Sequence, residues 1–323
     1  LARDHAGIKP LYYLVHSAGL VFASQYDQLL AHPWSTGLNF SSDAASLYLH
    51  LASIPAPYGI LENTFMLESG GWLEVSAEGK VAKGCYYQFP RFQPPTLSGP
   101  EAMAAVDAAI TNAVKRQLVS DVPIGAFLSG GIDSPLVCAK MQEVCDSGMR
   151  AFTIGMGGDR TDESQDAVRY AKSLGIEQTV EHVVPDDAVE MLEDVIAACG
   201  EPFGDFSIFP TRMVSRLARR NFTVMLSGDG GDELFWGYAQ RFSALMQGVR
   251  DYRFPPSWRH ALRLGRRVLG LPKTGSFRHR TFGDWQLAMH SRLPATWLHR
   301  VFPELPRWTS EYDVYDYDGS NPD

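Results

Sequence analysis

Val122-Pro123-Ile124-Gly125-Ala126-Phe127-Leu128-Ser129-Gly130-Gly131-Ile132-Asp133-Ser134-Pro135 joins an apolar run to a glycine pair and then to a helix start. The run predicts a buried strand over 122–128, with Pro123 tolerable only near its start because proline has no N–H for the ladder. Two adjacent glycines let the backbone turn tightly and bring its N–H groups close to an anion. Ser134 suits an N-cap, and Pro135 at the first helical position gives up only a donor that would lack a partner anyway. The helix N-terminus then turns its positive dipole end toward the same anion. Asp133 would repel a bare phosphate, so its presence argues for a bridging Mg2+. An ordinary glycine-rich turn is the plain alternative. A lone Ser-Gly-Gly would favour it; strand, loop and helix together favour phosphate.

Downstream, strands at 151–155, 179–184 and 222–226 alternate with helices at 134–145, 163–174, 186–199 and 211–220, after a first helix at 101–118. The helix over 186–199 rests on Val189, Leu192, Ile196 and Cys199 at helical spacing, closed by Gly200. This alternation implies an α/β fold with a doubly wound, mostly parallel sheet. In such sheets ligands bind beyond the carboxyl ends of the strands. Ser227-Gly228-Asp229-Gly230-Gly231-Asp232-Glu233 follows the strand at 222–226 and carries three carboxylates and three glycines in seven residues. A solvated surface turn is the bland reading. It weighs little if both loops open at one edge of the sheet, where Asp133 and Asp232 would share a metal. Ile154-Gly155 at a strand end would admit a flat base, although alone it is ordinary strand-end chemistry. Glu201-Pro202-Phe203 and Asp205 read, from the residues alone, as a structural loop.

Upstream, residues 1–92 are β-rich. Runs at 11–15 and 20–23 flank His16-Ser17-Ala18-Gly19, and runs at 72–75 and 80–87 flank Ala77-Glu78-Gly79, both hairpin signals. Pro90-Arg91-Phe92-Gln93-Pro94-Pro95 is a stiff connector that marks a domain boundary. The 323 residues suffice for two domains, here taken as 1–95 and 96–323. A net charge of -8 argues against a mainly nucleic-acid-binding role, which needs clustered positive charge. Cys85, Cys138, Cys145 and Cys199 form no CxxC pair, so zinc and disulfides are not expected, and a reducing, cytoplasmic setting is. No apolar stretch approaches the ~18 residues that span a membrane. The chain opens at Leu1 rather than methionine, so its true N-terminus is expected upstream.

Phe127-Leu128-Ser129-Gly130-Gly131-Ile132-Asp133-Ser134 resembles the pyrophosphate loop of the glutamine-hydrolysing asparagine synthetases. Leu226-Ser227-Gly228-Asp229-Gly230-Gly231-Asp232-Glu233-Leu234-Phe235, with Gly237-Tyr238, is similar to their second signature. Phe152-Thr153-Ile154-Gly155, Asp162-Glu163-Ser164 and Glu201-Pro202-Phe203 lie between the two in the family's order. Arg3-Asp4-His5-Ala6-Gly7-Ile8-Lys9-Pro10-Leu11-Tyr12-Tyr13 and Phe22-Ala23-Ser24 resemble later strands of the family's N-terminal-nucleophile glutaminase domain. The resemblance runs from Leu1 to about Phe242. It implies an ATP-pyrophosphatase sheet preceded by an antiparallel glutaminase remnant, cut short at both ends. It also implies a reaction: ATP adenylates the side-chain carboxylate of aspartate, pyrophosphate leaves, and ammonia from glutamine attacks. Carried over by position, Leu128, Ile154, Ser227 and Gly228 would contact ATP. Ser129, Gly130, Gly131 and Ser134 would hold pyrophosphate, Asp133 and Asp232 would bind Mg2+, and Asp229 would lie near the reacting carboxylate as a catalytic residue.

Several features depart from the family. Pro135 stands where a second serine is usual, and Trp236, where glycine is usual, is expected to narrow the entrance. The N-terminal cysteine nucleophile is not in the sequence, and the family's catalytic lysine is expected beyond Asp323, so the fragment alone is not expected to hydrolyse glutamine. Other readings stay open: an ATP pyrophosphatase acting on a different carboxylate or on tRNA, or a non-catalytic family member. A homodimer is among the assemblies left open. Arg259, Arg263, Arg266, Arg267, Lys273, Arg278 and Arg280 read as a solvated basic face rather than a nucleic-acid site. The aromatic stretch from Trp308 to Tyr317 reads as a surface segment or packing arm.

Overall fold

The computed structural model describes residues 1–90, 93–145, 148–157, 162–269 and 281–306. Its elements begin with β1 (Tyr12–His16), β2 (Gly19–Ala23), α1 (Tyr26–Leu30), α2 (Ser42–Leu51), β3 (Thr64–Met66), β4 (Gly71–Val75) and β5 (Val81–Cys85). Next come α3 (Gly99–Gln117), β6 (Ile124–Phe127), α4 (Asp133–Val144), β7 (Arg150–Gly155), α5 (Ser164–Leu174) and β8 (Glu177–His182). After them stand α6 (Pro185–Glu190), α7 (Leu192–Cys199), α8 (Ile208–Arg219), β9 (Val224–Leu226) and α9 (Gly231–Phe235). The last helices are α10 (Ala239–Tyr252), α11 (Pro256–Val268), α12 (Phe282–His290) and α13 (Ala295–Val301). Contacts divide the chain into two units. The first holds Leu1–Pro90, Cys199–Asp205 and the residues after Tyr238; the second holds Arg91–Ala198 and Phe206–Tyr238. The chain thus changes unit near the proline-bearing connector, and α10–α13 group with the first unit.

The first unit is built on antiparallel pairs. β1 lies between β2 and β3, and β4 pairs with β5. His16 faces Gly19 across the first hairpin, so Ser17-Ala18 forms the turn. Side chains of β1 alternate: Tyr12 and Leu14 pack with Tyr26, Leu29 and Ile60, while Tyr13 packs with Leu67 and Leu73. That is the period of two expected of a pleated strand with both faces covered. Leu47 of α2 meets Leu287 of α12, and the His50 carbonyl accepts the Arg292 N–H at 2.6 Å. Residues 199–205 also lodge in this unit: the Tyr12 hydroxyl donates to Glu201 Oε1 at 2.7 Å, and the Gly204 N–H donates to the Ala52 carbonyl at 2.7 Å. The 199–205 stretch is therefore a pinned strap.

Burial pushes the Glu201 carboxyl above its ordinary range, more than the Tyr12 hydrogen bond lowers it. A carboxyl whose folded pKa exceeds its unfolded value costs stability as pH rises, because the unfolded chain ionises first. Glu201→Gln keeps an acceptor for Tyr12 and cannot ionise. Relative to this variant, the native protein should lose stability between about pH 4 and about pH 7. Urea unfolding of both proteins at the two pH values measures it; a constant difference would refute the shift.

The second unit carries a four-stranded, fully parallel sheet in the order β8-β7-β6-β9. Ala126, Leu128 and Ala151 face Val114 of α3, Cys138 and Met141 of α4, and Ala167 and Ala171 of α5. The alternate residues Phe127, Phe152 and Ile154 face Val214, Leu217 and Ala218 of α8. Helices therefore cover both faces, as right-handed crossovers running outward and then back require. The fold is the expected α/β architecture.

Some local expectations give way. The strand starts at Ile124, past Pro123. The helix expected over 186–199 is two helices separated at Met191, whose φ and ψ are -88° and -1°. Val189, Leu192 and Ile196, taken as the apolar face, are exposed at 73%, 47% and 64%, and Met191 and Val195 are buried instead. The break rephases the helix so that a different pair reaches the core. Arg259 corrects the solvated-face reading of the basic cluster: it is buried, with its guanidinium 4.0 Å from the centre of the Tyr252 ring. A cation over an aromatic face gains stability when desolvated. Arg263, Arg266 and Arg267 stand further along α11, while Lys273, Arg278, Arg280 and the 308–317 stretch lie outside the described residues.

Candidate active site

From β6 the chain steps outward to β7 and β8, then returns to place β9 on the other side of β6. The reversal makes a switch point between β6 and β9, where the loops leaving two adjacent strands diverge and leave a crevice. The two glycine-bearing segments singled out in the sequence are the loops after those two strands. In the first, Ser134 does not cap the helix: α4 already begins at Asp133, with Ile132 at the cap position. The Ser134 hydroxyl instead accepts the Ser129 N–H at 2.8 Å and lies 2.8 Å from Ser129 Oγ. Folding the loop back on itself takes up that hydroxyl. Pro135 falls within the first turn of α4, where no intrahelical N–H bond is lost.

The second loop packs directly on the first. A methyl group on Gly228 would stand 2.6 Å from the Ser134 amide nitrogen and 2.9 Å from the Asp133 carbonyl carbon. One on Gly231 would overlap the Asp133 carboxyl. Gly230 turns the chain into α9 with φ of 90°, a region open to glycine at little cost. The Ser227 hydroxyl donates to Asp229 Oδ2 at 2.8 Å and so fixes that carboxylate. At the far end of α9, Trp236 sits in the left-handed region at φ 62°, which costs a non-glycine residue about 1–2 kcal/mol. Contrary to expectation, Trp236 is not among the cavity-lining residues; Phe235, Gly237 and Tyr238 are.

Between the loops lies a cavity of about 980 Å³. Leu128, Ser129, Gly131, Asp133 and Ser134 line it from the first loop, and Ser227, Gly228, Asp229 and Asp232 from the second. Ile154 adds an apolar wall at the end of β7. Gly130 is the exception among the expected residues. It turns away, packed so closely on Glu163 and Asp166 that a methyl there would stand 2.7 Å from Glu163 Cβ. Several wall residues carried no individual expectation: Met156, Glu163, Ser164, Pro210, Thr211, Val214, Glu233 and Tyr238. The run Asp162-Glu163-Ser164 was the available signal for two of them; α8 offered none, because its cavity end depends on the crossover. Tyr238 donates its hydroxyl to Glu233 Oε1 at 2.8 Å. The Ser164 N–H donates to Asp162 Oδ1 at 2.9 Å, and this amide, with the Ser164 hydroxyl nearby, holds the Asp162 carboxyl below its ordinary range.

Asp133 and Asp232 face the same cavity, one from each loop. Among the described residues no cluster of three or more His, Cys, Asp or Glu side chains surrounds a common point. Two carboxylates facing one cavity are a donor set that fits Mg2+, which takes one or two carboxylates and fills its remaining positions with water and phosphate oxygens.

The architecture defines the class first: an α/β unit with a four-stranded parallel sheet, preceded by antiparallel strands. Residues 105–314 match asparagine synthase and residues 1–87 match the glutamine amidotransferase domain, and the chain belongs to the asparagine synthase family. It is 37% identical over 242 residues to a Methanocaldococcus jannaschii protein named among the glutamine-hydrolyzing asparagine synthetases, covering 73% of this chain and 46% of that one. Against asparagine synthetase (glutamine-hydrolyzing) 1 of Bacillus subtilis it is 30% identical over 237 residues, covering 73% of this chain and 37% of that one. The chain spans less than half the length of these two relatives. Among solved structures, a glutamine-dependent NAD+ synthetase from Acinetobacter baumannii in complex with ADP is similar at 18% identity and a TM-score of 0.31. It covers 55% of this chain and 33% of that one. No helix among the described residues is long and apolar enough to cross a membrane.

Proposed function

We propose that the full-length protein is an ATP-dependent, amide-forming ligase that adenylates the side-chain carboxylate of aspartate and transfers glutamine-derived ammonia to give asparagine. The observation that carries this reading is the closure of the Ser129–Ser134 and Ser227–Glu233 loops on one cavity at the switch point, each bringing an aspartate. Triphosphate lies along the glycine backbone of both loops, with the N-terminal turn of α4 contributing N–H groups to the departing pyrophosphate. Leu128 and Ile154 pack on the base. Asp133 and Asp232 would hold Mg2+, which offsets phosphate charge when bound. The acceptor carboxylate reaches the α-phosphorus beside Asp229, whose orientation the Ser227 hydroxyl sets. The ligase needs little covalent chemistry from its own side chains, because positioning and charge stabilisation carry the step.

ATP–pyrophosphate exchange by the full-length protein against a panel of carboxylic acids tests this. Exchange that requires aspartate supports the assignment. Exchange with another carboxylate moves the protein to a different amide-forming ligase, and no exchange with any acid removes the adenylation chemistry.

A further inference from the structure

We infer that Gly231 and Gly237 are positioning residues: each presents bare backbone where a side chain would begin, and the carboxylate of Asp133 or Asp232 occupies that space. The inference rests on the shared-ion reading of these two aspartates and deepens it. All four residues line the cavity. A methyl group on Gly231 would meet the Asp133 carboxyl, with Oδ2 at 2.6 Å and Oδ1 at 2.8 Å. One on Gly237 would fall on the Asp232 carboxyl and stand 2.9 Å from the Asp232 Cα. Neither glycine has a positive φ, so backbone conformation does not demand glycine at either place. What stands in the way of a side chain is the carboxylate.

The carboxylates themselves supply a second observation. Other loop aspartates of this unit are held by donors. Asp229 accepts from the Ser227 hydroxyl at 2.8 Å, Asp162 from the Ser164 N–H at 2.9 Å, and Asp187 from the Val184 N–H at 2.8 Å. Among the described residues none donates to the carboxylate of Asp133 or Asp232, and neither forms an ion pair, although both residues are half-buried. A carboxylate only accepts, so the lone pairs of these two stay uncommitted, as a cation requires. With no donor to fix them, their placement falls to the surfaces they rest on. The turn after α9 makes one of those surfaces. Trp236, in the left-handed region, reverses the chain, and the Gly237 N–H donates to the Asp232 carbonyl at 3.0 Å, which lays the Gly237 backbone against Asp232. The strained backbone of Trp236 thereby has a use. A methyl on either glycine would be relieved by rotating the carboxylate, the free end of a side chain, so the fold should survive while the carboxylate is displaced.

Each glycine is tested with its aspartate through single and double variants of the full-length protein: Gly237→Ala with Asp232→Ala, and Gly231→Ala with Asp133→Ala. Calorimetric titration with ATP, once with Mg2+ and once with EDTA, gives a ratio of affinities that reads the metal's share of binding. Gly237→Ala and Gly231→Ala should each lower that ratio roughly tenfold or more, leave the affinity in EDTA unchanged, and melt close to the native protein. Each double variant should be no worse than its single aspartate variant, because a displaced carboxylate and a missing one amount to the same loss. A native ratio in either glycine variant, or losses that add in either cycle, overturns the inference while the shared-ion reading stands. So does a glycine variant that fails to fold, since its methyl would then be meeting backbone rather than a movable carboxylate. If both single aspartate variants keep the native ratio, the shared-ion reading falls, and this one with it.

Discussion

Asp133→Ala in the full-length protein should lower Mg2+-dependent ATP–pyrophosphate exchange by roughly a hundredfold or more, with folding unchanged. Asp133 sits at the first position of α4 and faces the cavity, with its carboxyl close against Gly231 of the second loop. What alanine removes is one of the two carboxylates proposed to hold Mg2+. An ion held by two carboxylates loses most of its affinity with either one. Asp232→Ala should therefore act alike, and the double variant should be little worse than the single ones, as for residues that work as a unit. Titrating Mg2+ against exchange rate gives the reading. If the single variants need no more Mg2+ than the native protein, the shared-ion assignment fails. If their effects multiply in the double variant, the two aspartates act separately.

Gly228→Ala should be nearly as damaging, by a different route. The added methyl meets the backbone of Asp133 and Ser134 rather than the yielding end of a side chain. Relief requires moving either the first turn of α4 or the loop after β9, and overpacking of this kind costs about 1–3 kcal/mol. Either movement spreads the two loops, so ATP affinity should fall at least about thirtyfold as the melting temperature drops. Gly175→Ala is the informative control. It strains φ at 66° but meets nothing within 4 Å and stands outside the cavity lining, so it should cost about 1 kcal/mol of stability and spare nucleotide binding. Equal loss of ATP binding in the two variants would mean that general destabilisation, not loop spacing, explains the effect.

Much of the site was legible because its signals are local. A glycine pair between an apolar run and a helix start has few uses other than a tight turn, and the carboxylates of Ser227–Glu233 stand within one loop. Ser134 was misread because capping competes with a second use of the same hydroxyl, closing the loop onto Ser129, and spacing cannot rank the two. The 186–199 helix failed for a related reason. Val189, Leu192 and Ile196 fit one helical stripe, yet the break at Met191 turns that stripe outward. Arg259 looked solvated because a charge in a basic run usually is; the ring of Tyr252 that covers it lies on another helix. Tyr238, Thr211 and Glu163 reach the cavity by registers of elements that meet only after the sheet has formed.

Residue order and type thus set the turns, the alternation of strand and helix, and the acidic and glycine content of each loop, since these depend on neighbours a few positions apart. The packing of the chain set the rest. Strand order is fixed by pairing between distant segments, and it is the seating of β9 beside β6 that brings Gly228 onto Ser134 and turns two separate loops into one cavity. Burial of the Ser164 hydroxyl has the same origin. Its environment is supplied by strands and helices remote in sequence, and so it emerges only when they close around it.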